Sequence, residues 1–262
     1  MTTILMYHQI SDLPEAQDPK RLAVSPSEFA KQLEFLVENG YQCVPLDRVI
    51  EELSGARRPT SKQVAITFDD GFRDFYTTAA PLLQQYKLPA TVFMVTGCAG
   101  AMSDWRGMSG SSAASIMSWA QVREMVAAGF QFGSHTVSHP NLITLSSDEI
   151  RVEVANSKKK MEDELGRVVD LISYPYGSSD GRVQDIASAC GYRAGLGTDR
   201  GRGTAMNIWR VRCDGLDSLR SLSRKVRGWD IRYIAFREDS FPGMSLQRSY
   251  QRAKRLVGPP KA

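Results

Sequence analysis

Three histidines and two adjacent aspartates are the residues of this 262-residue chain whose types and spacing best suit chemistry. His135 and His139 are four positions apart, and Asp69 and Asp70 stand side by side in residues 67–71 (TFDDG). Two imidazoles at this spacing lie on one side of a helical turn and suit a divalent metal, and one carboxylate can complete a His, His, Asp set that leaves room for water. The second carboxylate is then free to act as a base.

Each of these features has an ordinary explanation when it is taken alone. The two histidines could be spaced by chance, and Pro140 directly after them argues against a long helix. The two aspartates before Gly71 could be a capped turn that starts a helix. The combination is more specific than its parts, and it predicts a metal site with a neighbouring base.

The predicted elements alternate between strand and helix about seven times, which favours an α/β fold with a parallel sheet, open or closed into a barrel. The predicted strands cover residues 3–7, 64–68, 90–95, 130–133, 168–174, 193–197 and 208–213. The predicted helices cover residues 26–39, 75–86, 119–128 and 148–165. Parallel strands converge with their carboxyl ends on one rim, where active sites form. His8, Asp69 and His135 closely follow three of these strands, so we expect them on that rim.

The chain carries three ordered motifs, at residues 67–71 (TFDDG), 135–140 (HTVSHP) and 174–177 (YPYG). In order and spacing they resemble the motifs of the polysaccharide deacetylase family (carbohydrate esterase family 4), and the resemblance extends from about Thr3 to Cys213. That family folds as a distorted (β/α) barrel, usually of seven strands. It removes N-acetyl groups from amino sugars by means of a bound divalent metal.

The resemblance implies a role for each matching residue. The implied metal ligands are Asp70, His135 and His139. The expected metal is zinc, with cobalt, nickel, manganese and iron as alternatives. Asp69 resembles the general base that takes a proton from the attacking water. Pro175 and Tyr176 resemble residues that contact the substrate, and the backbone N–H of Tyr176 resembles a donor to the developing oxyanion.

Two departures from the common family pattern concern the base and the acid. Many members have an arginine where this chain has Ser173, and we expect Arg210 on the last strand to replace it, unless that arginine faces outward. Many members take the general acid from a histidine near the C-terminus, but here none follows His139. A branch of the family that opens with Tyr-His, as in residues 7–8, uses its N-terminal histidine instead. We therefore expect His8 to be the acid, with a buried structural role as the alternative.

Composition and charge limit what else the chain could be. With 42% hydrophobic and 24% charged residues, it is neither disordered nor a small disulfide-stapled scaffold. Residues 219–262 hold 11 Lys and Arg against 3 Asp and Glu, so a basic segment ends the chain. This segment could contact a membrane surface, or it could be a solvated helix face with a loose tail. No nucleic-acid partner is expected.

We expect a catalytic domain over residues 1–215 and a basic, helical extension of the same domain over residues 216–262. No secretory signal is visible, so the expected location is the cytoplasm, including the inner membrane surface. Trp105, in the Gly- and Ser-rich residues 97–118, is expected to stack on a sugar. The sequence leaves the oligomeric state open.

The leading functional hypothesis is a metal-dependent hydrolase that removes the N-acetyl group from N-acetylhexosamine units of a glycan or glycoconjugate. One alternative is hydrolysis of another non-peptide C–N bond, in a cyclic amide or ureide, by the same site. The other is a glycan-binding pseudoenzyme, although a binding module would need no base.

Overall fold

The computed structural model describes residues 2–18, 20–58, 62–103, 114–198 and 204–227. The strands in these ranges are β1 (Thr3–Tyr7), β2 (Gln9–Ile10), β3 (Ala23–Val24), β4 (Gln42–Cys43), β5 (Gln63–Phe68), β6 (Thr91–Met94), β7 (Gln131–Ser134), β8 (Leu171–Ser173), β9 (Ala194–Gly197), β10 (Ile208–Trp209) and β11 (Val211–Arg212). The α-helices are α1 (Pro26–Glu38), α2 (Leu46–Leu53), α3 (Ala80–Gln85), α4 (Trp119–Ala127), α5 (Ser147–Leu165), α6 (Gly181–Ala189) and α7 (Leu219–Val226).

The main sheet is parallel and curls into a nearly closed barrel. Its strands follow the order β10-β9-β8-β7-β6-β5-β1-β11, and β4 also pairs with β5. The ring closes because β10 pairs with β9 while β11 pairs with β1. The α/β barrel predicted from the sequence is therefore confirmed.

The ring has eight strands rather than seven because the predicted strand over residues 208–213 is divided at Arg210. The N–H of Arg210 still bonds to the carbonyl of Gly197, the last residue of β9, whereas Val211 is already paired with Leu5 on β1. Strands in a barrel are tilted and staggered. The first part of this segment, β10, therefore pairs with β9, and the second part, β11, pairs with β1.

Helix α1 shows how local sequence starts and orients an element. The side chain of Ser25 caps it by accepting the N–H of Glu28 at 3.2 Å, and a proline occupies the first turn. Phe29 and Leu33 are buried against the barrel, as their helical spacing predicts. Val37, the residue after the buried Leu36, is 45% exposed.

The predicted helix over residues 75–86 has two parts. A π-helical turn (Phe75–Ala79) leads into α3. Pro81, the second residue of α3, has no N–H to donate, so the hydrogen-bonding pattern changes at this point. Helices α2 and α6 and the two-residue strands β2, β3 and β4 were not predicted from the sequence, whereas α7 lies within the helical extension expected over residues 216–262.

Apolar side chains fill the barrel at the end where its strands begin. The members of this cluster that come from the barrel strands are Ile4, Ala65, Phe93, Leu171, Ala194, Leu196 and Ile208, and they pack against residues of α2. The polar groups at the opposite end, where the strands finish, therefore lie above this apolar interior, which we call the barrel floor. None of the helices that the structure describes is both long and apolar enough to cross a membrane.

Candidate metal centre and active site

The polar residues named from the sequence follow strands that end at the same mouth of the barrel. His8 follows β1, Asp69 and Asp70 follow β5, His135 follows β7, and Arg210 follows β10. This common placement results from the parallel topology, because every strand in the ring runs in one direction.

Asp70, His135 and His139 form a compact group of potential metal ligands. Oδ1 of Asp70 lies 3.4 Å from Nε2 of His135 and 3.3 Å from Nε2 of His139. One ligand atom from each residue lies within 4.8 Å of the others, and all three residues are buried. A buried carboxylate that faces two imidazole nitrogens is a donor set suited to a divalent transition metal.

The hydrogen bonding of His135 supports this assignment of the donor atoms. Its Nδ1 lies 2.7 Å from the carbonyl oxygen of Ser173, so Nδ1 carries the proton and Nε2 presents a lone pair toward Asp70. Burial by itself would lower the pKa of His135, but the Asp69 and Asp70 carboxylates raise it above its ordinary value. The same negative charge that attracts a proton would stabilise a bound cation, so the residues fit a metal.

The segment that carries the two histidines is not a helical turn, and that part of the sequence interpretation was wrong. Thr136 and His139 both have left-handed backbones, with φ of 70° and 58°. The carboxylate of Glu153 on α5 accepts the N–H groups of Val137 and Ser138 at 2.9 Å each, which supports this irregular turn. The imidazoles meet because the backbone folds back on itself, which helical spacing alone does not describe.

The turn after β5 also needs an unusual backbone. Asp70 has φ of 73° and Gly71 has φ of 75°. A Cβ on Gly71 would lie 2.1 Å from Sδ of Met94, so only glycine fits there. This turn directs two consecutive carboxylates into different surroundings.

Asp69 forms a buried, two-pronged ion pair with Arg210. Nη1 and Nη2 of the arginine each lie 2.7 Å from one carboxylate oxygen, and the arginine side chain is 0% exposed. The guanidinium stands 5.6 Å from the ring centre of Phe93 on the barrel floor. The alternative that Arg210 faces outward is therefore wrong.

The charge around Asp69 keeps its carboxyl group ionised. Burial by itself would raise the pKa of Asp69, but the charges of Arg210, His135 and His8 outweigh that effect and lower the pKa. His8 is half-buried and lies close enough to act electrostatically on Asp69, on the same rim.

Tyr176 lies at the outer edge of the metal-ligand group. The residue is 43% exposed, and its ring packs edge-on against His139, with 4.8 Å between ring centres. Its backbone is left-handed, with φ of 59°, and the neighbouring Pro175 is buried. Nζ of Lys20 stands 5.9 Å from the Tyr176 ring centre, so the segment before β3 also reaches this rim.

Some sequence predictions lie outside this group of residues. Trp105 and residues 228–262 lie outside the described residues. The described start of the basic segment, α7, buries Leu222 and Lys225, and this lysine pairs with Asp217. Lys225 is therefore not part of a solvated face.

Glu153 was not predicted from the sequence to belong to the site, and Ser173 was considered only as the position where many family members have an arginine. Glu153 reaches the histidine turn from a helix that follows it in the chain. No local signal in the sequence indicates that contact.

Comparison with known proteins identifies the family. The family model described as polysaccharide deacetylase matches residues 56–195, which is more than half of the chain. The chain is 32% identical over 198 residues to YxkH of Bacillus subtilis (strain 168), covering 76% of this chain and 64% of that protein. It is also 32% identical over 136 residues to the poly-beta-1,6-N-acetyl-D-glucosamine N-deacetylase of Escherichia coli (strain K12), covering 50% of this chain and 20% of that protein.

A solved structure agrees with these sequence matches. The Streptococcus pyogenes deacetylase PplD, in complex with acetate, aligns with a TM-score of 0.74 at 30% identity, over 86% of this chain and 97% of that chain. The chain spans less than two thirds of both curated relatives, but it spans nearly all of PplD. With a matching family model, related sequences and a shared barrel, this chain belongs to the polysaccharide deacetylase family.

Proposed function

We propose that the protein is a metal-dependent N-deacetylase that hydrolyses the acetamido group of N-acetylhexosamine units in a poly- or oligosaccharide or glycoconjugate. The observation that carries this proposal is the group of Asp70, His135 and His139 directly beside the buried ion pair of Asp69 and Arg210. Metal ligands and a separate ionised carboxylate that can act as a base are two central parts of metal-assisted amide hydrolysis.

Zinc is the metal that we propose for the three ligands, because two imidazole nitrogens and one carboxylate are a donor set that catalytic zinc sites use. Cobalt, nickel, manganese and iron remain alternatives for the same donors. A divalent metal held there supplies a Lewis acid that polarises the amide carbonyl and lowers the pKa of the attacking water.

The residues of the chain then divide the proton transfers between them. Asp69 accepts a proton from the water while the water oxygen bonds to the carbonyl carbon, and Arg210 keeps the carboxylate ionised and oriented. The backbone N–H of Tyr176 stabilises the charge that develops on the carbonyl oxygen. His8 donates a proton to the nitrogen as the C–N bond breaks, and the products are acetate and a free amine.

The substrate class follows from the relatives' names and is part of the proposal. The Escherichia coli relative is named for poly-beta-1,6-N-acetyl-D-glucosamine, so N-acetylglucosamine polymers and oligomers are the first substrates to test. The glycan is the proposed partner of the mouth of the barrel. Trp105, Pro175 and Tyr176 are proposed to contact it.

Acetate release from a panel of N-acetylated oligosaccharides, polymers and glycoconjugates tests the proposal directly. We expect release that stops with a chelator and returns with added Zn²⁺, and that is lost in Asp69→Asn. Glycan binding without acetate release from any substrate would favour the pseudoenzyme. Hydrolysis of cyclic amides or ureides alone would favour the other C–N hydrolase.

A further inference from the structure

Ser173, the last residue of β8, contacts both halves of the site and is fully buried. Its hydroxyl donates to Oδ2 of Asp69 at 3.1 Å and accepts from Nη2 of Arg210 at 2.7 Å. Its carbonyl oxygen lies 2.7 Å from Nδ1 of His135. One residue therefore contacts the base, the arginine beside the base, and a metal ligand.

The hydroxyl contact is directional because a serine hydroxyl has one proton. That proton points to Asp69, which leaves a lone pair for the guanidinium of Arg210. A two-pronged pair is held firmly within the plane of its two hydrogen bonds and less firmly against tilting out of that plane. The Ser173 hydroxyl contacts both Oδ2 of Asp69 and Nη2 of Arg210, and so adds a third contact that restrains this tilt on one side of the pair, while Thr67 Oγ1 lies 3.3 Å from Nη1 on the other side.

The carbonyl contact controls a different part of the site. Because it accepts the Nδ1 proton of His135, it directs the Nε2 lone pair toward Asp70. The backbone of Ser173 thus orients a metal ligand while its side chain orients the base. The position of β8 therefore determines how Asp69 and His135 are placed relative to each other.

We propose that Ser173 is a positioning residue that aligns the base with the metal site, through its hydroxyl on Asp69 and Arg210 and its carbonyl on His135. This inference rests on the proposed deacetylase function. It assigns to Ser173 no contact with substrate and no proton transfer.

Ser173→Ala separates the two contacts, because it removes the hydroxyl and keeps the carbonyl. We expect kcat for acetate release to fall about 10- to 100-fold, as is usual for a residue that supports a site residue. KM and the Kd for Zn²⁺, measured by competition with a chelating dye, should each stay within about two-fold of wild type. A smaller side chain at this position should leave the far-ultraviolet circular dichroism spectrum unchanged.

Thr91→Val is the matched control, since it also removes a buried hydroxyl from a barrel strand. Oγ1 of Thr91 bonds to the side chain of Gln131, away from the metal ligands and the base. We expect this variant to keep the wild-type kcat.

The outcomes distinguish the two levels of inference. A wild-type protein that binds Zn²⁺ but releases no acetate from any substrate would refute the deacetylase function. An active wild type with an equally active Ser173→Ala variant would refute the role of Ser173 alone. Loss of Zn²⁺ affinity in step with kcat would also refute it, because the hydroxyl would then support the fold rather than align the base.

Discussion

Asp69 and Asp70 are neighbours in the chain but have opposite surroundings. The left-handed backbone at Asp70 directs its carboxylate to His135 and His139, whereas Asp69 is held by Arg210. A carboxylate that faces imidazole nitrogens is suited to bind a metal. A carboxylate that is paired and kept ionised is suited to accept a proton.

This difference predicts that the same substitution at the two adjacent positions has different effects on bound metal, although both variants lose activity. Asp69→Asn should keep bound metal and lose about 10²- to 10⁴-fold in kcat, because the amide cannot accept the proton. Asp70→Asn and His139→Ala should lose metal and activity together. Metal content by atomic emission and acetate release on the same samples provide the test.

A reversed pattern would contradict the assignment. If Asp69→Asn lost metal while Asp70→Asn kept it, the two roles would be exchanged. Full metal occupancy in His139→Ala would remove that histidine from the ligand set.

If His8 is the general acid, the activity lost on removing it should depend on the leaving group of the substrate. Departure of an amine requires a proton, whereas a phenolate from an aryl acetate leaves without one. His8→Ala should therefore keep its metal, lose most amide hydrolysis, and be less impaired on an aryl acetate. Parallel assays of the two substrates test this. Equal losses on both substrates would argue against the acid role, and unchanged amide hydrolysis would leave His8 with a structural one.

At the scale of elements, the turn between the two histidines depends on a helix that follows it in the chain. Glu153 on α5 accepts two backbone N–H groups at 2.9 Å and the hydroxyl of Ser138 at 2.6 Å. Because Thr136 and His139 hold strained left-handed backbones, the turn needs support from outside itself. Helix α5 therefore helps to position a metal ligand that it does not contain.

Glu153→Gln should weaken metal binding, because a neutral amide oxygen is a weaker acceptor for the two backbone N–H groups than a carboxylate, and the amide nitrogen cannot accept the Ser138 hydroxyl. We expect the Kd for Zn²⁺ to rise about 10-fold, with a folded protein and activity restored by excess Zn²⁺. Asp163→Asn is the matched control, since it removes an exposed acid that pairs with Lys159 on the same helix. Equal Kd values for Glu153→Gln and wild type would show that the turn supports itself.

At the scale of the whole molecule, Asp74 makes stability depend on pH. Burial raises the pKa of Asp74 to about 7, and hydrogen bonds from Ile10 and Gln9 offset this only in part. The folded state therefore binds more protons than the unfolded state between about pH 4 and pH 7. The free energy of unfolding therefore falls as pH rises through this window. The free-energy cost of ionising the buried carboxyl group is fully present above pH 7.

Asp74→Asn should remove this cost, because an amide does not ionise. The gain in unfolding free energy should be about 3 kcal/mol larger at pH 8 than at pH 5 in the metal-free protein. Urea denaturation at the two pH values measures it. An equal effect at both would show that Asp74 does not carry the raised pKa.

The sequence by itself determined the fold class, the family, and the residues that could bind a metal. Strand and helix patterns are local, so they predicted β1 and most of the barrel before any contact was known. The three motifs are contiguous or nearly so, and their residue types favoured metal-assisted hydrolysis over a binding role. The location and the membrane contact by the basic segment stay predictions.

Only the tertiary structure decided how these residues are oriented. Arg210 lies between β10 and β11, where pairing changes from β9 to β1, and its side chain points inward to Asp69. Ser173 on β8 and Glu153 on α5 contact the site from elements that are distant in the chain. The helical turn expected for the histidines was wrong because the left-handed backbone at Thr136 depends on such distant contacts. Spacing along the chain specifies which atoms are available, but burial and hydrogen bonds between distant residues determine where each atom points.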